Sequence, residues 1–112
     1  MFGKSHRFHG HNSLNKVYAA GKTVRGPNLT LKYSKSVTDK PYRVAIVVSK
    51  KVHKSAVVRN RIRRRIYAQV KKYEAVIPAG TDLVFTAYNE SLAKMDSSKL
   101  ASSISDLLKK TA

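Results

Sequence analysis

The side chains best suited to chemistry in this sequence are gathered in one short segment, Arg59-Asn60-Arg61-Ile62-Arg63-Arg64-Arg65. Five of its seven residues are arginine, and a guanidinium group binds phosphate oxygens through two parallel hydrogen bonds and stacks on nucleic-acid bases. Burying so many charges without partners in a protein interior is prohibitively costly. The segment must therefore face solvent or bind a large polyanion.

The other reactive side chains form no recognisable catalytic pattern. The sequence has no cysteine, no glycine-rich phosphate loop and only six scattered acidic residues, so no carboxylate pair for two-metal hydrolysis can be identified. His6, His9 and His11 could ligate a metal, but a polar tail is the simpler interpretation. His53 could act as a general base, although a histidine beside a polyanion site fits better. We therefore predict no catalytic residue and no metal site in the protein alone.

Positive charge is both excessive and segregated along the chain. Lysine and arginine number 23 against 6 acidic residues, which gives a net charge of +17. Twelve of these cations, and no acid, lie between Lys40 and Tyr73, whereas residues 74–112 carry five acids and four lysines. This gradient is typical of a face that docks a polyanion, and nucleic acid is the predicted partner.

A membrane surface is the weaker alternative for this charge. The apolar stripe of the arginine-rich helix is needed for the core, and it has no Trp or Phe to anchor in lipid. No apolar run approaches the roughly 18 residues of a membrane span, and the N-terminus lacks an apolar signal-peptide core. We expect a cytoplasmic protein that does not contact membranes.

Hydrophobic periodicity predicts one α+β domain over residues 1–112, in which residues 1–11 form a mobile basic tail. The expected order is α-β-β-α-β-α, with helices packed on a small sheet. A capping Ser55 begins the long basic helix, which is expected to reach about Glu74. The other predicted elements are a helix from Asn12 or Ser13 to Ala20, strands at 29–33, 44–48 and 83–87, and a helix that follows Asp96 or Ser97.

The long helix has one apolar stripe, formed by Val58, Ile62, Ile66, Val70 and Tyr73. This stripe is expected to pack on the sheet. The arginines flank this stripe or point away from it. They would therefore lie on the side of the helix that faces away from the core. From the residues alone, Tyr18, Tyr33 and Tyr42 fit either half-buried core positions or a cleft that stacks on bases.

Two ordered motifs resemble the bacterial ribonuclease P protein component. Val47-Val48-Ser49-Lys50-Lys51 is similar to the Ser-Lys-Lys strand end of that family. Ala56-Val57-Val58-Arg59-Asn60-Arg61-Ile62-Arg63-Arg64 is similar to its Ala-x-x-Arg-Asn-Arg helix. Length, high pI and the predicted element order agree over nearly the whole chain. The resemblance also implies a left-handed crossover between the two parallel strands that flank the long helix, against the usual rule.

The resemblance implies a division of labour within ribonuclease P. The RNA subunit would hydrolyse the phosphodiester bond with bound Mg²⁺ and release the 5′ leader of precursor tRNA. One copy of the protein per holoenzyme would dock on that RNA and hold the leader in a cleft between the first helix and the sheet. The implied cleft residues are Leu14, Tyr18, Leu31 and Tyr33. The predicted RNA-binding residues are Lys50, Lys51, His53, Lys54, Arg59, Asn60, Arg61, Arg63, Arg64 and Arg65.

Several positions depart from the family pattern. Leu14 stands where Phe is common, and the turn before the long helix is expected to be one residue longer, so His53 and Lys54 are expected to add phosphate contacts. Arg65 replaces a usual apolar residue, while Tyr67 and Tyr88 stand where basic residues are common. We therefore carry no RNA contact onto the two tyrosines.

The residues alone are also compatible with two other functions. A ribosomal RNA-binding protein of similar α+β build would have a purely structural role, and it would co-sediment with ribosomes. A DNA-compacting protein would bind duplex DNA and structured RNA with equal affinity.

Overall fold

Residues 21–26, 28–35 and 41–111 are described by a computed structural model, and all structural statements below refer to them. They contain a four-stranded sheet with two α-helices, as the predicted α+β class requires. The predicted tail at 1–11 and the predicted helix at 12–20, including Leu14 and Tyr18, lie outside the described residues.

The sheet has the strand order β1-β2-β4-β3. Its strands are β1 at Lys22–Arg25, β2 at Leu29–Lys35, β3 at Arg43–Val48 and β4 at Thr81–Ala87. β2 runs antiparallel to both β1 and β4, whereas β3 and β4 are parallel. The three predicted strands are thus confirmed with small extensions, and β1 is an additional strand that hydrophobic alternation did not reveal.

The two helices are α1 at Ala56–Lys72 and α2 at Ser97–Lys109. The Ser55 hydroxyl caps α1 by accepting a hydrogen bond from the Val58 N–H at 3.4 Å, which confirms the predicted start. Ile62, Ile66 and Val70 have no exposed surface, because a spacing of four residues keeps them on one face of the helix. Two short 3-10 helices follow α1 and β4, at Glu74–Val76 and Glu90–Ala93.

One face of the sheet carries the core. The register places Leu31 opposite Phe85, and Phe85 opposite Ile46, so alternate side chains of the three long strands meet on this face. They form one buried cluster with the apolar stripes of α1 and α2. Since a strand's side chains alternate, the remaining residues of each strand project from the opposite side.

We call that opposite side of the three long strands the polar face, and it is formed by Thr30, Lys32, Ser34, Arg43, Ala45, Val47, Asp82, Val84 and Thr86. Apart from the buried Val84, these residues are half-buried. Arg43 donates two hydrogen bonds, each 2.8 Å long, to the Asp82 carboxylate. This bidentate pair raises the pKa of Arg43 and joins the beginnings of the two parallel strands across the polar face.

Candidate nucleic-acid interface

The arginine-rich segment occupies the first half of α1, where Ile62 fixes its orientation. Ile62 is completely buried in the core, so its neighbours are carried around the outside of the helix. Asn60, Arg61 and Arg64 are exposed, and Arg63 is half-buried while donating a hydrogen bond to the Asn60 side chain. Packing of the apolar stripe thus presents three arginines and an amide on a rigid element.

Lysines in the preceding loop extend this positive charge. Lys50 and Lys51 follow β3 in a turn closed by a 3.0 Å hydrogen bond from the Val52 N–H to the Ser49 carbonyl. Lys54 lies just before the helix cap, and all three lysines are exposed. The first turn of α1 contains no acidic residue. We call the set Lys50, Lys51, Lys54, Asn60, Arg61, Arg63 and Arg64 the basic surface.

Two predicted RNA-binding arginines make contacts within the protein instead of only facing outward. Arg59 donates hydrogen bonds to the carbonyls of His53 at 2.9 Å and Lys54 at 2.8 Å, which fixes the loop before α1. Arg65 donates to the Leu92 carbonyl at 2.6 Å and to the Met95 carbonyl. Arg65 therefore braces the segment after β4 against the helix, and we leave it out of the basic surface.

His53 is also held by neighbouring groups. Its Nδ1 accepts a 3.0 Å hydrogen bond from the Ser55 N–H, so a neutral imidazole would carry its proton on Nε2. That Nε2 lies 3.7 Å from the Glu90 carboxylate. His53 thus links the loop before α1 to the 3-10 helix after β4, and its predicted phosphate contact stays a prediction.

The predicted leader cleft is partly wrong. Leu31 has no exposed surface, so it cannot contact an RNA strand. Tyr33 packs against the same core but is only half-buried, so its predicted contact stays a prediction. Strand alternation correctly put the two residues on one face, but that face is the one covered by α1 and α2. A cleft on the sheet surface would instead use the alternate residues of β2, which are Thr30, Lys32 and Ser34. Leu14 and Tyr18 remain outside the described residues.

Sequence reasoning missed the contribution of the segment that follows β4. Together with the start of α1, this segment encloses a cleft of about 440 Å³, lined in part by Arg61, Glu90 and Lys94. The sequence does signal the bend, because Asn89 caps the 3-10 helix by accepting a 2.9 Å hydrogen bond from the Ser91 N–H. Nothing in the sequence signals that the segment folds back beside Arg61, because the hydrogen bonds of Arg65 to the Leu92 and Met95 carbonyls form only in the folded chain.

Metal and membrane features are absent from the part of the chain that the structure covers. No group of three or more His, Asp or Glu side chains in 21–26, 28–35 and 41–111 is placed to hold a metal ion. Within the same ranges, no helix is long and apolar enough to span a lipid bilayer.

Comparison with known proteins agrees with the motifs. The family model described as Ribonuclease P matches residues 2–112. The chain belongs to the ribonuclease P protein family. The ribonuclease P protein component of Caldanaerobacter subterraneus is 36% identical over 98 residues, which cover 88% of this chain and 82% of that protein. The component of Brevibacillus brevis is 36% identical over 84 residues, which are 75% of this chain and 66%, just under two thirds, of that relative.

Solved structures show that the similarity extends to the fold. The ribonuclease P protein of Staphylococcus aureus superposes with a TM-score of 0.81 at 25% identity, covering 96% of each chain. The protein from Thermotoga maritima also gives a TM-score of 0.81, at 22% identity and with 93% of this chain and 96% of that one covered. The arrangement of sheet and helices is therefore that of ribonuclease P proteins.

Proposed function

We propose that this chain is the protein subunit of ribonuclease P, which assists removal of the 5′ leader from precursor tRNA. In this proposal one copy of the protein binds the RNA subunit in the cytoplasm. The RNA subunit carries the Mg²⁺-dependent hydrolysis, and the protein supplies no catalytic group. Family membership supports this role, and the observation that carries it is the basic surface on α1 and the loop before it.

The basic surface fits an RNA backbone for two reasons. First, Arg61, Arg63 and Arg64 lie on a helix anchored by fully buried side chains, so the backbone loses little entropy when they bind. Second, like charges at neighbouring positions repel one another in the free protein, and phosphates relieve that repulsion. Binding is therefore expected to be strongly salt-dependent, because each neutralised phosphate releases counterions.

The polar face of the sheet is the proposed binding site of the 5′ leader. Lys32, Thr30 and Ser34 offer one cation and two hydroxyl groups along a single strand, which suits the phosphates and sugars of an extended RNA. Tyr18 and Leu14, which lie outside the described residues, stay proposed contacts of the leader. The two RNAs would then bind to different parts of the protein.

Reconstitution with the RNA subunit tests the proposal. Precursor-tRNA cleavage would be measured at a low Mg²⁺ concentration with the RNA subunit alone, the protein alone and both together. We expect cleavage only when both are present, since the protein's cations would substitute for Mg²⁺ in screening phosphates. Cleavage by the pure protein, or no rescue of the RNA, would contradict the proposal. Co-sedimentation with ribosomes would instead favour the ribosomal alternative.

A further inference from the structure

The cleft between α1 and the segment after β4 has a mixed chemistry that a simple phosphate contact does not need. Its floor includes Val58 and Ala93, which are half-buried and pack against the core. Arg61 and Lys94 place two cations at its wall, and Glu90 adds a carboxylate. A helix that contacts only backbone phosphates needs cations alone, so the apolar floor and the acid suit a ligand that has more than a phosphate group.

The size of the cleft limits what can occupy it. A volume of about 440 Å³ lies in the lower part of the range of roughly 300–1,000 Å³ that is usual for small-ligand sites. One nucleotide fits this volume. Sequence-specific recognition of RNA commonly uses single unpaired bases, whose faces pack on side chains and whose Watson–Crick edges form hydrogen bonds.

We infer that the cleft binds one unpaired guanine nucleotide of an RNA, with the base on Val58 and Ala93 and the phosphate between Arg61 and Lys94. An ionised carboxylate only accepts hydrogen bonds. Guanine is the base whose Watson–Crick edge presents two adjacent donors, N1–H and the N2 amino group, which match the two oxygens of Glu90. Adenine, cytosine and uracil each place an acceptor beside their donor. This inference rests on the proposed function in taking RNA as the partner.

The groups around the cleft are fixed before any ligand arrives. Arg65 holds the carbonyls of Leu92 and Met95, and Arg59 holds those of His53 and Lys54, so both walls are tied to α1. Glu90 itself remains available. Its side chain is 65% exposed and its contact with His53 is 3.7 Å long, and an exposed pair of this kind contributes little energy. Replacing the contact of Glu90 with His53 by hydrogen bonds to a base therefore costs little free energy.

Short RNAs test the site directly on the full-length protein. Binding of the pentamers UUGUU and UUAUU, and of GMP, would be followed by two-dimensional NMR. We expect UUGUU to bind at least about fivefold more tightly than UUAUU, since a well-made base contact discriminates by about 1 kcal/mol or more. Shifts should be centred on residues 53–61 and 89–94. Equal affinities, shifts centred elsewhere, or GMP binding more tightly than UUGUU would overturn the inference.

Variants separate reading of the base from attraction of the phosphate. Glu90→Gln should remove the preference for guanine, because the amide places a donor against a donor. Lys94→Ala should weaken the binding of both pentamers by the same factor. Lys99→Ala, an equal loss of charge on the exposed part of α2, should leave both affinities unchanged. A guanine preference that survives in Glu90→Gln overturns the inference. Low-Mg²⁺ rescue of cleavage, measured separately, reports on the proposed function whether or not guanine is preferred.

Discussion

Truncating Arg65 to Ala should destabilise the protein, although the same truncation at Arg64 should not. Arg65 donates charged hydrogen bonds to the carbonyls of Leu92 and Met95, and Leu92 is only 1% exposed. A hydrogen bond to a charged group contributes about 1.5–3 kcal/mol, and the half-buried position of Arg65 favours the lower end of that range. Because Arg65→Ala loses two such bonds, each near that lower end and both made by one guanidinium, we expect it to lower the free energy of unfolding by about 2–3 kcal/mol.

Urea unfolding followed by circular dichroism measures this difference. Arg64→Ala is the matched control, because Arg64 is exposed and its loss should change the free energy of unfolding by less than about 0.5 kcal/mol. Arg65→Leu should lie between the two, since it keeps the aliphatic packing and loses only the hydrogen bonds. Equal stabilities of the Arg64 and Arg65 variants would refute the bracing role of Arg65.

Three further predictions concern RNA binding and pH. Arg61→Ala and Arg64→Ala should each weaken binding to the RNA subunit by about 1–3 kcal/mol and reduce the salt dependence measured by filter binding. Unchanged affinity would exclude the basic surface as the binding site of the RNA subunit. Lys32→Ala should weaken binding of precursor tRNA, but not of mature tRNA, to the holoenzyme. Lys35→Ala, on the other side of β2, should change neither affinity. Equal losses of affinity for both tRNAs would exclude the polar face as the leader site. Burial and a hydrogen bond to Glu74 raise the pKa of Tyr42, so the stability it contributes is fully present below pH 10 and is lost as pH rises further; Tyr42→Phe should show a shallower alkaline loss in urea unfolding, and parallel curves would contradict this.

The elements that position the basic surface could be predicted because their signals are local. Ser55 has the side chain of a helix cap, and the spacing of Ile62, Ile66 and Val70 requires an amphipathic helix. β1 was not predicted because Lys22–Arg25 is a short edge strand with mainly polar, exposed residues. It is stabilised by pairing with β2. Its formation depends on a neighbour that periodicity does not reveal.

The burial and contacts of individual side chains could be predicted less well than the helices and strands. Alternation along β2 groups Leu31 with Tyr33, but only the packing of both α-helices on one side of the sheet decides which group is buried. The arginines of α1 look equivalent in the sequence, yet Arg59 and Arg65 donate to carbonyls of other segments. Those carbonyls approach α1 only in the folded chain, and the same is true of the cleft beside Arg61.

The parallel pairing of β3 with β4 has a consequence for the order of folding. Arg43 meets Asp82 across 39 positions of sequence, and α1 lies entirely within the intervening chain. The loop-closure entropy of this segment must be overcome before the strands pair, and distant contacts of this kind slow folding. A lone α1 with so many like charges gains little from its own propensity and depends on packing against the sheet. The basic surface should therefore become able to hold RNA only late in folding, and in stopped-flow refolding RNA capture should follow formation of the sheet.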